Sequence, residues 1–249
     1  MEKDLTERVR EYWTERTENF SIVRHNELKD EICGRWLNEM TVYLEKSGPL
    51  NILDAGTGTG YFAILLARAG HRVTGIDMTP SMIEEAKKTA AEENVKITFL
   101  VGDAQDTGLP ADSFDAVVTR NLTWTLPDPE QAYREWQRLL KPGGVLLNFD
   151  ANYADNVRHH NQKASKIKPG DVYGHIGITP KLTHENAEIT LSMPAADHKR
   201  PDWDKELAEK IGFASWGADR SAGRRILREK DLEDAPLFLF WAKKQGLYK

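Results

Sequence analysis

Apolar residues along the chain fall into two alternating patterns, short runs and helical spacings. Short runs that predict strands occur at 52–53, 71–77, 96–102, 114–120, 145–149, from 214 onward, and at 236–243. Segments with apolar residues three or four positions apart predict helices at 61–69, from 80 onward, at 128–140 and at 203–211. Strands that alternate with helices are typical of a doubly wound, Rossmann-like α/β fold with a parallel sheet. We therefore predict that fold class.

Two more helices are predicted before the first strand, over 4–20 and about 26–46. Ser47-Gly48-Pro49 ends the second one. Because both precede the first strand, they are additions to the α/β core. Tyr12, Trp13 and Phe20 on the first helix have two open interpretations, which are simple packing and an aromatic cover over a ligand.

A glycine-rich stretch follows the first strand. Residues 51–60 read Asn-Ile-Leu-Asp-Ala-Gly-Thr-Gly-Thr-Gly, with glycines at alternate positions. Glycine allows a sharp turn and a close approach of a ligand, and the helix that follows directs free N–H groups at the same opening. This predicts a nucleoside-type cofactor. The dinucleotide fingerprint needs a small residue where Tyr61 stands, and the acid Asp54 suits a cationic cofactor better than a diphosphate.

Further polar residues stand where the predicted strands end. Asp77 closes the second strand, where a carboxylate can accept hydrogen bonds from ribose hydroxyls. Gly102-Asp103-Ala104 closes the third strand, and the segment from Asn121 through Trp124 follows the fourth. Lys-Pro-Gly-Gly at 141–144 ends a helix and leads into the fifth strand.

In order and spacing, these motifs resemble those of class I S-adenosylmethionine (SAM) dependent methyltransferases of the small-molecule type, the broad group that includes ubiquinone/menaquinone methyltransferases. The resemblance covers about residues 48–150. It implies a seven-stranded sheet with an antiparallel last strand in a single domain, 1–249. Within it we expect a helical cover (1–47), a SAM-binding core (48–150), a substrate-recognition insertion after strand five (151–200), and a C-terminal helix with strands (201–249).

The resemblance also implies the cofactor SAM, the product S-adenosylhomocysteine, and the site residues. In this family an acid after strand three bonds the adenine amino group, which is the role expected of Asp103. The cofactor-binding residues expected are Asp54, Gly56, Thr57, Gly58, Gly60, Asp77, Met78, Met82, Asp103, Ala104 and Asn121. The candidates near the transferred methyl group are Tyr12, His25, Asn121, Trp124 and Tyr153. None is assigned as catalytic, because a sulfonium methyl is already activated and its displacement mainly needs alignment and dehydration.

Composition limits the partners and the location. A net charge of −5 gives no bulk attraction to nucleic acid, and no apolar run reaches the length of a membrane span. A single cysteine and a charged N-terminus without an apolar signal segment fit a cytoplasmic protein. We expect a monomer or homodimer that acts on a small-molecule acceptor, without nucleic-acid or membrane partners. The five histidines within 151–200 lack compact ligand spacing, so no metal is predicted, whereas a catalytic histidine there stays open.

Two alternatives remain open at the level of sequence. A nicotinamide-dependent oxidoreductase shares the first turn and Asp77, although Tyr61 and Asp103 argue against it. A SAM-binding protein without transferase activity would carry the same motifs, and binding without turnover would distinguish it.

Overall fold

The computed structural model describes residues 4–44, 48–160, 178–227 and 237–247. Its centre is a seven-stranded sheet with the strand order β3-β2-β1-β4-β5-β7-β6. The strands are β1 (Asn51–Ala55), β2 (Arg72–Asp77), β3 (Thr98–Val101), β4 (Phe114–Arg120), β5 (Leu140–Asp150), β6 (Ser215–Asp219) and β7 (Phe238–Lys243). The first five strands pair in parallel, and β7 pairs antiparallel with both β5 and β6. The predicted α/β fold with an antiparallel last strand is confirmed.

Helices cover both faces of the sheet. They are α1 (Leu5–Leu28), α2 (Ile32–Thr41), α3 (Tyr61–Arg68), α4 (Pro80–Glu92), α5 (Pro129–Leu139), α6 (Tyr153–His160), α7 (Pro180–Ser192), α8 (Asp202–Ile211) and α9 (Ala222–Ile226). Successive strand residues point to opposite faces. Ile52 accordingly belongs to the core under α2, α3 and α9, whereas its neighbour Leu53 belongs to the core under α5 and α8.

The first two helices differ from the prediction. We expected helices over 4–20 and about 26–46, but α1 continues to Leu28 and α2 is only Ile32–Thr41. The buried face of α1 extends past residue 20 through Val23, Arg24 and Glu27, so that no break is needed there. The break falls at 29–31, where the Asp30 carboxylate accepts a hydrogen bond from the Ile32 N–H at 3.0 Å and begins α2.

Strand β5 begins earlier than predicted. Leu140 already pairs with Phe114, but the next pair along the ladder is Val145 with Ala116. The intervening Lys-Pro-Gly-Gly segment bulges out of the ladder. A side chain on Gly144 would lie 2.9 Å from the Lys141 carbonyl oxygen and 3.0 Å from that of Asp115, so only glycine fits this bulge.

The segment after β5 contributes α6 and α7, and α7 packs on α1. Buried Val9 and Tyr12 of α1 contact Leu182 and Ile189 of α7, and half-buried Met78 packs against the same cluster. Because Met78 directly follows β2, this small core lies at the edge of the sheet where the parallel strands end. Residues 161–177 of the predicted insertion, with His175, lie outside the described residues.

Candidate functional site

The turn from β1 into α3 is held in an unusual backbone conformation. Gly56, Gly58 and Gly60 have φ values of 67°, 52° and 85°, which favour glycine. The Thr57 N–H donates to the Ile76 carbonyl oxygen at 2.9 Å, and the Gly60 N–H donates to the Thr57 carbonyl oxygen at 2.9 Å. The turn is therefore fixed to β2, and Gly58 is the glycine of the three that has space beside its backbone.

Asp54 fixes the same turn from below. Its buried Oδ2 accepts hydrogen bonds from the Thr57 hydroxyl at 2.7 Å and from the Ala63 N–H, in the first turn of α3, at 3.0 Å. Burial raises the pKa of Asp54 to about 7, against these two hydrogen bonds, which favour the charged form. The carboxylate bonds protein groups rather than pointing at the opening, so any contribution it makes to a cationic ligand acts through its charge.

Asp77 lies on the other side of the turn, at the end of β2. Its Oδ2 accepts the Gly58 N–H at 2.9 Å, and its Oδ1 accepts the Thr79 N–H at 2.9 Å. Burial raises the pKa of Asp77, and these backbone donors oppose the shift. A carboxylate oxygen has more than one acceptor position, so Asp77 retains capacity for two ligand hydroxyls.

The remaining residues that were predicted to bind the cofactor differ in how deeply they are buried. Asp103 is half-buried after β3, where its Oδ1 accepts the Gln105 N–H at 2.8 Å. Ala104 is buried, and its carbonyl oxygen accepts the Trp136 indole N–H at 3.0 Å. Met82 is buried in α4, whereas Met78 is half-buried beside the α1–α7 contact. Asp103 and Met78 are therefore the better placed of these four to contact a ligand.

The segment after β4 closes against the glycine turn. Asn121 has a φ of 54°, and its N–H donates to the Phe149 carbonyl oxygen at 2.8 Å. A side chain on Gly56 would lie 2.7 Å from Leu122 Cδ1. β1 and β4 are neighbours at the point where the strand order reverses, and open α/β sheets bind ligands in the crevice there. Asn121 is thus brought to that crevice.

The part of the chain that forms this edge of the sheet matches a known protein family. Residues 53–148, from β1 to β5, match a family described as a methyltransferase domain. Over this segment the chain is similar to methyltransferase domains, in keeping with the resemblance of its motifs to class I SAM-dependent methyltransferases. The match spans the glycine turn, Asp77, Asp103 and the segment after β4, which are the parts assembled at one edge of the sheet.

Individual known proteins are also similar to this chain in sequence or in fold. A ubiquinone biosynthesis O-methyltransferase of Coxiella burnetii is 34% identical over 139 residues, which are 56% of this chain and 56% of that protein. The chain thus matches about half the length of such curated relatives. The structure of phosphoethanolamine N-methyltransferase 2 of Haemonchus contortus with SAM has a TM-score of 0.57 at 17% identity, over 84% of this chain and 51% of that chain. The structure of the cyclase SpnF has a TM-score of 0.55 at 18% identity, over 85% of this chain and 82% of that chain. These two structures show the shared fold.

The residues of the matched segment fit SAM. Gly58 leaves open the space that a side chain would take, and Asp77 offers acceptors for a ribose beside it. The Asn121 amide oxygen and the Trp124 indole nitrogen are buried without a hydrogen-bond partner among the described residues. Buried polar atoms are rarely left unpaired, so these two are consistent with a ligand-binding crevice. Asn121 and Trp124 are the predicted candidates that the structure places there.

Trp124 and Tyr153 lie together beyond the crevice. Their ring centroids are 4.9 Å apart, and the backbone N–H of Trp124 donates to Asp150 Oδ2 at 3.1 Å. Tyr153 begins α6 immediately after β5. The pair therefore forms an aromatic wall next to the ends of β4 and β5.

Helix α1 covers the glycine turn from the other side. A side chain on Gly58 would lie 3.5 Å from Phe20 Cε1, and Phe20 contacts Trp13 edge to face at 5.3 Å between centroids. Trp13 in turn contacts Tyr12 at 5.3 Å. Tyr12 is buried against α7, and burial raises the pKa of its hydroxyl. The three aromatic side chains thus run from the glycine turn to the α1–α7 contact.

His25, a predicted candidate near the methyl group, lies beside the C-terminal end of α4. Its Nδ1 lies 3.7 Å from Glu92, the last residue of α4. α4 begins with Pro80, close to Asp77, and Glu92 is about 18 Å further along the helix at 1.5 Å per residue. The residue type of His25 carries no information about which end of a helix faces the site.

A buried charged cluster beside the glycine turn was not predicted. Glu27 accepts the Arg120 Nη2–H at 2.9 Å and the Trp36 indole N–H at 3.0 Å, and it also bonds Arg24 Nη1. The guanidinium of Arg120 lies 4.2 Å from the centre of the Trp36 ring. Arg120 ends β4 directly before Asn121. The helical spacing of Arg24 and Glu27 is visible in the sequence, but their pairing with a residue 93 positions away is not.

Two classes of feature are absent from the parts of the chain that the structure describes. Residues 4–44, 48–160, 178–227 and 237–247 contain no group of three or more His, Cys, Asp or Glu side chains arranged to hold a metal ion. No described helix combines the length and the apolar character needed to cross a bilayer.

Proposed function

We propose that this protein transfers a methyl group from SAM to a small-molecule acceptor. The observation that carries the proposal is the contact between Asp77 and Gly58, in a domain that matches methyltransferases from β1 to β5. It joins a carboxylate suited to a ribose with a turn that a nucleoside can approach closely.

Some of the described residues would bind the cofactor, and others would exclude water from the place of methyl transfer. Bound SAM supplies an activated methyl on a sulfonium. Asp77 binds the ribose, Asp103 the adenine edge, and the glycine turn admits the cofactor without a steric barrier. Asn121 and Trp124 line the place of transfer. Phe20 and the α1–α7 contact exclude water, which strengthens electrostatic interactions inside the crevice.

The nature of the acceptor is also part of the proposal. The curated relatives are named as O-methyltransferases of ubiquinone biosynthesis, so phenolic hydroxyls are the first acceptors to test. The charge of −5 and the single cysteine support a cytoplasmic enzyme without nucleic-acid partners, acting as a monomer or homodimer.

A second candidate is a protein that binds SAM without transferring its methyl group. It is supported by the cyclase SpnF, whose name describes a different reaction on this fold. The two candidates share the binding site and differ only in turnover.

The test combines binding and transfer. Calorimetry with SAM, S-adenosylhomocysteine and NADH should show binding of the first two only. Asp77→Ala should weaken SAM binding by about 1.5–3 kcal/mol, the range for hydrogen bonds to a charged group. Asp112→Asn, an exposed acid outside the crevice, is the control. Isotope-labelled SAM with a set of phenols, amines and thiols then reports transfer. Binding of NADH alone would contradict the proposal, and SAM binding without transfer to any acceptor would favour the second candidate.

A further inference from the structure

We propose that Arg200, a buried residue, is a positioning residue that holds Trp124 and Tyr153 where the methyl acceptor binds. This inference rests on the proposed function and deepens it on the side of the acceptor. Arg200 acts on the two aromatic side chains through two neighbours, Asp150 and Asn152.

The pair of Trp124 and Tyr153 suits a bound acceptor because it carries an unused hydrogen-bond donor. Trp124 follows β4 and Tyr153 follows β5, at the edge of the sheet where Asn121 also lies. Only 8% of Trp124 is exposed, and its indole N–H has no hydrogen-bond partner among the described residues. Buried donors are rarely left unpaired, so this indole N–H is available to an oxygen atom of the acceptor.

The first connection runs from Arg200 through Asp150 to Trp124. Arg200 Nη1 donates to Asp150 Oδ2 at 2.7 Å, and the same oxygen accepts the backbone N–H of Trp124 at 3.1 Å. Trp124 lies in a 3-10 turn of only three residues, Thr123–Thr125, and so short a turn has few hydrogen bonds of its own. The position of Trp124 therefore depends on Asp150, whose carboxylate is paired with the guanidinium of Arg200.

The second connection runs from Arg200 through Asn152 to Tyr153. The Asn152 Nδ2 donates to the Arg200 carbonyl oxygen at 2.8 Å, and its Oδ1 accepts the Arg200 N–H at 3.0 Å. Asn152 directly precedes Tyr153, the first residue of α6. Because these two hydrogen bonds fix the start of α6 to residue 200, they also fix the ring of Tyr153.

Both connections meet at Arg200, which is itself anchored to α8. Arg200 is 1% exposed, and its Nε and Nη2 donate to the two oxygens of Asp204 at 3.0 and 2.6 Å. Where reacting groups must be aligned, a misplacement of about 1 Å can cost about a hundredfold in rate. A rigid connection from α8 to the aromatic pair is therefore suited to place an acceptor against the methyl group of SAM.

The experiment measures acceptor binding separately from cofactor binding. The probe is catechol, a small phenol, titrated by calorimetry into protein saturated with S-adenosylhomocysteine. The variants are Asn152→Ala, Arg200→Lys, Tyr153→Leu and the double variant of Asn152→Ala with Tyr153→Leu. Arg220→Gln is the matched control, because Arg220 Nη1 also donates to the Arg200 carbonyl oxygen, at 3.3 Å, but its side chain is exposed and pairs with Asp202. Circular dichroism checks that each variant is folded.

We expect Asn152→Ala and Arg200→Lys to weaken catechol binding at least about fivefold, the effect of losing one aromatic contact. Their affinity for S-adenosylhomocysteine should stay within about twofold of the wild type. Tyr153→Leu should weaken catechol binding by a similar factor. Adding Asn152→Ala to it should cost less than about twofold more, because Asn152 acts through a ring that is already absent. Arg220→Gln should bind both ligands like the wild type.

Three results would overturn the positioning role and leave SAM binding intact. The first is a wild type that binds S-adenosylhomocysteine but not catechol. The second is catechol binding in folded Asn152→Ala that is unchanged, or that falls no more than in Arg220→Gln or than the affinity for S-adenosylhomocysteine. The third is full multiplication of the two single effects in the double variant, which indicates independent structural roles.

The remaining outcomes concern folding and the proposed function. If Arg200→Lys does not fold, Asn152→Ala decides alone, because Asn152 is half-buried and uncharged and its loss leaves the ion pairs of Arg200 in place. A wild type that does not bind S-adenosylhomocysteine would overturn the proposed function itself.

Discussion

Asp54 and Asp77 flank the same turn but play different parts. Asp54 is buried and uses one oxygen to join Thr57 to the start of α3. Asp77 is half-buried and contacts the backbone of the turn at Gly58. The sequence identifies both as acids beside glycines, but it does not show which of them faces the ligand. That distinction depends on which hydrogen bonds each carboxylate makes.

An Asp54→Asn substitution distinguishes the effect of the hydrogen bonds that Asp54 accepts from the effect of its negative charge. The hydrogen bonds from Thr57 and Ala63 both go to the same oxygen of Asp54, so an amide oxygen can keep them. Burial raises the pKa of Asp54 from 3.8 to about 7, which means that the folded chain holds this proton more firmly than the unfolded chain. The wild type therefore loses stability through this group as pH rises from about 4 to about 7, and the variant does not.

We expect Asp54→Asn to gain stability relative to wild type between pH 4.5 and pH 8, by up to roughly 4 kcal/mol at about 1.4 kcal/mol per pKa unit. SAM binding should weaken about tenfold, since the variant lacks a charge that attracts the cation. Urea unfolding at both pH values and calorimetry are the measurements. Asp112→Asn, at an exposed acid, should show neither effect. Parallel pH dependences for wild type and Asp54→Asn would disprove the assigned pKa shift.

At the scale of secondary-structure elements, local signals in the sequence predicted where most of the helices and strands begin and end. β4 begins and ends as predicted, and Asp128 begins α5 by accepting the Gln131 N–H at 2.9 Å. The boundary between α1 and α2 was misplaced because residues 21–28 contain no glycine or proline and keep the helical spacing. The cluster of Arg24 with Arg120 was not predictable, because periodicity shows which face of a helix is buried but not what it contacts.

Helix α1 links cofactor binding to the α1–α7 contact. Phe20 lies on the glycine turn, whereas Tyr12 packs on α7 slightly more than about two turns earlier in the helix. We expect amide hydrogen exchange of 12–20 and of 180–192 to slow when S-adenosylhomocysteine binds, because a ligand at the turn holds Phe20 in place. Helix α8, on the opposite face, serves as the internal control and should not change. Protection restricted to the glycine turn, Asp77 and Asp103 would show that α1 is ordinary packing.

At the scale of the whole molecule, one buried arginine joins the end of β5 to α8. Arg200 Nη1 donates to Asp150 at 2.7 Å, and its Nε and Nη2 donate to the two oxygens of Asp204 at 3.0 and 2.6 Å. The Tyr133 hydroxyl of α5 also donates to Asp204, at 2.6 Å. The sequence does not predict this network, because Tyr133 and Asp150 lie far from Arg200 in the chain and arginine is usually exposed.

Removing this arginine should destabilise the fold strongly. We expect Arg200→Gln to lower the free energy of unfolding by about 3–5 kcal/mol at pH 7.5, because two buried acids lose their counter-charge. Burial already raises the pKa of Asp150 against the opposing effect of Arg200, so without the arginine the loss of stability should shrink toward pH 5 as Asp150 takes up a proton. Urea unfolding measures both effects. Arg134→Gln, at an exposed pair with Glu130, should change stability by less than about 1 kcal/mol. A small, pH-independent effect of Arg200→Gln would contradict this account.

The position of β7 has a consequence for how the chain is made. β7 lies between β5 and β6, so β6 emerges from the ribosome before its pairing partner exists. Until residues 238–243 are synthesised, β5 presents an unpaired edge beside the buried Leu147 and Phe149. Open edges with apolar neighbours are templates for association between chains. We therefore expect nascent or truncated chains that lack β7 to be the most aggregation-prone forms of this protein, and the last strand to cover the open edge of β5.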